Sequence, residues 1–278
     1  MRDYIFKRLL FLCSLLVLLI CGGMVYSLVS GAVPAFEKFG FFHFISSVEW
    51  DPRPGNEQYG ALAFITGTIM TSFLALVFCI PFSLPVALFT GEYFRGTRAA
   101  TIIGSVIDLL AGIPSIVYGL FGMLFFVTYL KWGYSLLAGA CTVAIMILPL
   151  IMRTTEEALK AIPDSYREGS YGLGAGKLRT VFAVVLPSAV PGILAGVILS
   201  IGRIVGETAA LIYTAGTVAA LPDGVLSSGR TLAVHMYVLA SEGLYMKQAY
   251  ATAVILVVIV VAINALSSRL AKQLMKGK

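Results

Sequence analysis

Six stretches of this chain are long and apolar enough to cross a bilayer, at residues 9–28, 64–89, 102–130, 134–152, 189–215 and 250–266. A spanning helix needs about 20 predominantly apolar residues, because hydrocarbon offers an exposed peptide group no partner and a helix satisfies its own. Of the 278 residues, 59% are hydrophobic and 12% charged, and mean hydropathy is +0.92, so the apolar surface exceeds what one soluble core hides. A bilayer is the solvent such a composition requires. A single all-α polytopic membrane domain over residues 1–278, with six transmembrane helices, is therefore predicted.

An even number of spans puts both termini on one side. The flanks on that side hold fourteen Lys and Arg, from Arg2 and Lys7 to Lys276 and Lys278, against five opposite: Lys38, Arg53, Lys131, Arg230 and Lys247. Cationic flanks stay in the cytoplasm, which predicts cytoplasmic N and C termini. This asymmetry accounts for the net charge of +6, with anionic membrane lipid as neighbour. No separate basic tract points to nucleic acid. Cys13, Cys21, Cys79 and Cys141 lie in apolar stretches without paired spacing, and His43 and His235 lack companion ligands, so no disulfide or metal site is expected. No nucleophile, base and acid stand together, and the chain is not expected to be an enzyme.

Residues 29–63 mix Phe36, Phe39, Phe41, Phe42 and Trp50 with Glu37, Glu49, Asp51 and Glu57, reading as an external loop with an interfacial aromatic portion. Residues 217–248 read as a second external segment, with 231–240 apolar enough for a short surface or re-entrant helix. Gly112 and Pro114 are expected to bend the third span. The segment 153–187 is long, polar and on the cytoplasmic side, with Glu156, Glu157, Lys160, Asp164, Arg167 and Glu168 in its first half.

Within that segment, Glu168-Gly169-Ser170-Tyr171-Gly172-Leu173-Gly174 ends a helix-compatible run in glycines, and Leu186-Pro187 follows before the fifth span. On composition alone it is either an ordinary linker or two short helices around a glycine turn. The run Gly172, Gly174, Gly176, Lys177 does not make a phosphate-cradling loop, because Tyr171 and Leu178 stand where that motif needs Gly and Ser or Thr. Nucleotide binding by this chain is excluded on that ground.

The spacing E-A-A, three residues, G, nine residues, I-x-L-P is the signature of ABC importer permeases, and this chain resembles it. Glu168, Gly169 and Ser170 stand at the E-A-A positions, Gly174 at the glycine, Val184 at the isoleucine and Leu186-Pro187 at the close. The departures are Gly169, Ser170 and Val184. Residues 112–122 and 200–208 further resemble the A-type permease subunit of phosphate importers. The resemblance implies a type I importer permease in a bacterial-type inner membrane, forming half of a pathway for inorganic phosphate. It implies a coupling helix at 168–174 within the 156–187 loop. It also implies partners: a second homologous permease, two copies of an ATPase that hold ATP and Mg, and an extracytoplasmic substrate-binding protein. Sulfate, molybdate or phosphonate as cargo remain open, as does an ion-coupled secondary transporter using Asp108 or Glu207.

Arg203 and Glu207 fall in the middle of the predicted fifth span, where a charge costs about 2.5 to 3.5 kcal/mol and marks a functional candidate. Four residues apart on a helix they would share a face, so one reading is an internal ion pair. The other is that Arg203 offers its planar fork of donors to an oxyanion. Glu207 would then orient it and accept the proton that monohydrogen phosphate carries. Arg230 is either a guide for the anion or a solvated loop residue, and Asp108 reads as structural. The pairs Gly192/Gly196 and Gly202/Gly206 have the spacing of close helix packing.

Overall fold

The computed structural model describes residues 2–53 and 57–276. Lys278 and the side chains of Arg2 and Lys276, counted in the flank argument, lie outside the described residues. The chain opens with α1 (Arg2–Phe39), whose 38 residues reach about 57 Å at 1.5 Å per residue, well beyond a hydrocarbon core of about 30 Å. The predicted external loop thus begins as helix, because Ala32 and Ala35 bury against Phe44 and Ala251 and carry the helix onward. Residues 6–27 of α1 are exposed within the chain, as befits an apolar helix meant for lipid or a neighbouring span. After α2 (Phe41–Ser46), a two-residue antiparallel ladder pairs Trp50–Asp51 with Gln58–Tyr59.

The central layer is α3 (Leu62–Leu88), α6 (Leu136–Lys160) and α9 (Leu186–Val205), with α6 packed against both others. Val143, Ile147, Ile151 and Leu211 are fully or almost fully buried in its core. Between α3 and α6 the third span is broken as the sequence predicts: α4 (Arg98–Ala111) and α5 (Ser115–Gly122, running on into the π-helical Met123–Tyr129) meet at 91° across Gly112, Ile113 and Pro114. Five of the described helices are long and apolar enough to span, or six if the bent pair is counted as one span.

Boundaries move at the fourth and fifth spans. Residues predicted as loop from Arg153 onward stay helical to Lys160, and the loop then holds α7 (Asp164–Gly172) and α8 (Lys177–Thr180). The fifth span starts at Lys177, passes a π-helical turn at Val181–Val185 into α9, and stops at Val205 rather than 215. Past a break at Gly206 to Thr208 the chain forms only the short α10 (Ala209–Ile212). The apolar stretch after Thr231 is helical as expected, α11 (Leu232–Glu242), with the Thr231 hydroxyl accepting from the Val234 amide. The last helix is α12 (Met246–Lys276), packed on α1, α9 and α11.

The glycine pairs divide. A Cβ on Gly192 would lie 2.6 Å from the Ala158 Cβ, and one on Gly196 would lie 2.1 Å from Thr154 Oγ1, so this pair lets α9 meet α6. A Cβ on Gly202 or Gly206 would meet no backbone of another helix within 4 Å among the described residues.

Candidate functional site

At the end of the bundle that carries 161–176, the predicted coupling segment is a compact element held by one buried ion pair. Arg167 Nη2 lies 2.5 Å from Glu92 Oε1, with the two side chains only 7% and 4% exposed. Glu92 sits in the π-helical turn Phe89–Tyr93 that extends α3. The remaining donors of Arg167 reach the carbonyls of Leu159 (3.0 Å) and Ile162 (2.8 Å), closing the end of α6. Asp164, at the first turn of α7, accepts from Arg167 (3.2 Å) and from Arg95 (2.6 Å). The Arg95 guanidinium holds that carboxyl below the usual carboxylate range. One arginine thus ties the second span, the fourth span and α7 together. Glu92 was missed from the sequence; its one signal was an acid closing an otherwise apolar run.

Four of the residues named from the resemblance lie around this anchor. Ser170 Oγ lies 2.8 Å from Thr180 Oγ1, joining α7 to α8. Gly174 has φ +82°, a left-handed turn that glycine takes without strain, and its position is open. Glu168 and Gly169 are exposed, as are Tyr166, Tyr171 and Leu173, the last at 91%. Leu186 and Pro187 stand apart from them, at the start of α9, where Leu186 packs with Leu159, Val185, Ala189 and Ile193. The exposed part of the motif is thus a small apolar face with one acid, on a base fixed to two spans.

Deeper in the bundle, Arg153 makes a bidentate contact to Asp108, donates to the Gly104 carbonyl (2.7 Å), and meets Glu156 (2.8 Å), which accepts from the Thr90 hydroxyl (2.7 Å). Asp108 is therefore structural, as read from the sequence, fastening α4 to α6.

Arg203 and Glu207 are separated by the helix end. Glu207 lies beyond α9, is buried, and its Oε1 accepts from the Ala210 amide at 3.1 Å, capping α10. It neither neutralises nor orients Arg203, so neither reading of Glu207 as a partner of Arg203 holds. The reason is that Gly206 ends the helix and rotates Glu207 off its face. Arg203 makes no hydrogen bond or ion pair among the described residues. It is exposed within the chain and lines a cavity of about 600 Å³ whose other walls are Leu150, Ala195, Ile198, Leu199 and Val260, with Gly202 and Asn264. A guanidinium in such surroundings is held for a ligand, water or a facing protein surface rather than for lipid.

Arg230 is at the other end and is committed internally. Its Nε and Nη2 donate to the Thr217 carbonyl at 2.9 and 2.6 Å, and Nη1 lies 3.1 Å from His235 Nδ1. It is therefore a strut rather than a free guide for anions. His235 is fully buried, stacked on Phe64 at 3.7 Å and edge-on to Trp50 at 4.3 Å. Since Arg230 can only donate, His235 Nδ1 accepts and the ring is neutral. Burial, reinforced by the Arg230 charge, holds its pKa well below the usual imidazole range. An unfolded histidine takes up a proton below about pH 6.5 while this one does not, so stability at this end falls as pH drops, by up to about 1.4 kcal/mol per pH unit. The protection factors of the α11 amides, corrected for intrinsic exchange rates, are expected to fall by up to about tenfold between about pH 7.5 and about pH 5.5, and His235→Asn to remove that fall.

Residues 83–277 match the family described as "Binding-protein-dependent transport system inner membrane component". The phosphate transport system permease protein PstC of Mesorhizobium japonicum is 31% identical, covering 96% of this chain and 89% of that protein. PstC of Pasteurella multocida is 30% identical over 83% of this chain and 79% of its own length. The phosphate transport system permease protein PstA 1 of Mycobacterium tuberculosis is 38% identical over 58% of this chain and 53% of its own. Among solved structures, a bacterial alginate ABC transporter in complex with its alginate-bound periplasmic protein has a chain that superposes with a TM-score of 0.69 at 17% identity, covering 97% of this chain and 96% of that one. An inward-facing MetNI methionine ABC transporter gives 0.63 at 22% identity, covering 74% of this chain and 92% of that one. The architecture is that of type I ABC importer permeases.

Proposed function

Because this chain belongs to the family of binding-protein-dependent transport system inner membrane components, we propose that it is a permease subunit of an ATP-driven importer of inorganic phosphate. Arg203 carries the reading: a guanidinium without a hydrogen-bond partner, on a long apolar helix, facing a cavity rather than an internal carboxylate. Its fork of donors matches the tetrahedral oxyanion geometry of phosphate. The relatives named as phosphate permeases support the same cargo. In this reading the chain forms half of the pathway and a second homologous permease the other half. Both termini and α7 face the cytoplasm, where two ATPase subunits hold ATP and Mg, and a substrate-binding protein docks on the opposite side. The exposed face of Tyr166, Glu168, Tyr171 and Leu173 docks on an ATPase, and Arg167 transmits its movement to the spans. Ion-coupled secondary transport loses its carriers, since Asp108 is held by Arg153 and Glu207 caps α10.

The test is ATP-driven uptake of radiolabelled phosphate into vesicles holding the complete importer. Two charge-assisted hydrogen bonds lost in Arg203→Ala are expected to cut uptake about 10- to 100-fold with assembly and ATP hydrolysis intact, and Arg203→Lys to recover only part. Full uptake in Arg203→Lys would exclude the bidentate contact, and uptake without ATP would exclude the importer.

A further inference from the structure

Arg203 shares its cavity with one other polar side chain, Asn264 of α12, and the remaining lining is glycine and aliphatic. The two ends of the Asn264 amide differ. Its Oδ1 is buried without a hydrogen-bond partner, whereas its Nδ2 is accessible and likewise unpartnered among the described residues. A Cβ built on Gly202 would lie 3.7 Å from Asn264 Nδ2 and 3.9 Å from Oδ1, so the amide lies against α9 one residue before Arg203. The end of the amide open to the cavity is a donor, as every nitrogen of Arg203 is. An asparagine serving only to satisfy Arg203 would turn its carbonyl to the guanidinium. This one does not, and the two groups make no hydrogen bond with each other. Donors from two helices thus meet in a space where no other lining side chain offers an acceptor.

We propose that Asn264 is the second donor of an anion site shared by α9 and α12, and that this half of the pathway takes tetrahedral oxyanions as a class, phosphate and sulfate alike; this deepens the anion-pathway reading of Arg203 and rests on it. All the oxygens of either anion accept hydrogen bonds, so a wall made only of donors serves both. To tell them apart the wall would need an acceptor for the P–OH hydrogen that phosphate keeps near neutral pH and sulfate lacks. The one side-chain acceptor here, Asn264 Oδ1, is closed off. The division between the two groups has a physical reason. The guanidinium supplies charge, and the neutral amide supplies a hydrogen bond to a charged oxygen without adding a second charge. A transit site must hold its anion firmly enough to admit it and weakly enough to let it go. A second cation in these apolar surroundings would hold it too firmly, because charges attract more strongly where the dielectric is low.

The experiment uses the assembled membrane complex of permeases and ATPases in vesicles, without the external binding protein, so that only the pathway's own binding is read. Equilibrium binding of radiolabelled phosphate and of radiolabelled sulfate is measured, with assembly and ATP hydrolysis followed in every variant. The wild type is expected to hold the two anions with affinities within about threefold of each other. Asn264→Leu, which keeps the volume and removes the donor, is expected to weaken both by about 5- to 20-fold, and Asn264→Gln, which keeps an NH₂, by less than about threefold. Asn264→Asp is expected to weaken both by more than about 100-fold at neutral pH, because a carboxylate there pairs with Arg203 and repels the anion. Being isosteric, it is the variant read if the leucine variant fails to assemble. Arg203→Ala is expected to weaken both anions more than Asn264→Leu does. Binding unchanged in the Asn264 variants while Arg203→Ala loses both anions would overturn Asn264 as a donor and leave Arg203 in place. A wild type that prefers phosphate by more than about tenfold, or an Asn264 variant that loses phosphate alone, would overturn the donor-only site. Binding unchanged in Arg203→Ala, or a wild type that holds neither anion, would overturn the anion pathway itself.

Discussion

Glu92→Ala is expected to destabilise the permease by about 3–5 kcal/mol and to uncouple ATP hydrolysis from uptake, because it leaves the buried Arg167 guanidinium without its carboxylate. The pair is closed to solvent on both sides, so water does not screen it as it screens a surface pair. It also joins residues 75 positions apart, one in the turn that extends α3 and one in α7. With Glu92 gone, the ion pair left among the described residues between α7 and the turn after the second span is Arg95–Asp164, which is exposed and screened by water. The coupling helix can then shift against the spans it should move. The measurement is twofold: thermal unfolding of the purified complex, and phosphate taken up per ATP hydrolysed. A large fall in that ratio with hydrolysis retained is the expected outcome. Replacing both partners, Glu92→Leu with Arg167→Met, is expected to recover much of the stability, since no buried charge is left, but little of the coupling. Wild-type stability in Glu92→Ala would show that Arg167 finds water in this position, and the clamp argument would fall.

Gly196→Val is expected to prevent assembly. Its Cβ would lie 2.1 Å from Thr154 Oγ1 and 2.6 Å from the Thr154 Cβ, so α9 and α6 must move apart along the central contact of the bundle. Thr154 has nowhere to turn, because its hydroxyl donates back to the Leu150 carbonyl at 3.0 Å within α6. Overpacking of this kind costs about 1–3 kcal/mol and more when backbone rather than a flexible side chain must yield. The quantity to measure is the yield of detergent-stable complex. Thr154→Gly is expected to rescue Gly196→Ala, since it removes every atom within 3 Å of the new methyl group. Gly169→Ala, at an open position, is expected to leave the yield unchanged. Normal yield from Gly196→Val would mean that α6 and α9 do not cross here.

Much of the fold was legible because its signals are local. An apolar run of about 20 residues needs only its own backbone to satisfy its peptide groups in lipid, so the spans could be read without knowing their neighbours. The bend at Gly112 and Pro114 and the glycine turn at Gly174 follow from backbone chemistry at those positions. The two short helices of the 161–180 segment, around a glycine turn, were one of the readings its composition offered. Even the end of α9 had a local signal that was passed over, a glycine followed by Glu207 and Thr208, a common way to stop one helix and cap the next.

Pairing was another matter. Arg203 and Glu207 were close in sequence and looked like partners, whereas Arg167 and Glu92 were far apart and did not. A side chain's partner is set by which elements the fold brings within 3 Å, and spacing along one helix says nothing of that once the helix stops between them. Asn264 was invisible for the same reason: one amide in a long apolar run has meaning only when α12 lies over Gly202. The sequence by itself determined that this chain lives in a bilayer, roughly where its spans lie and which loop carries the E-A-A-like motif. Only the tertiary structure decided which charges are spent on holding the helices together and which are left facing a cavity, because burial and neutralisation are properties of the packed bundle.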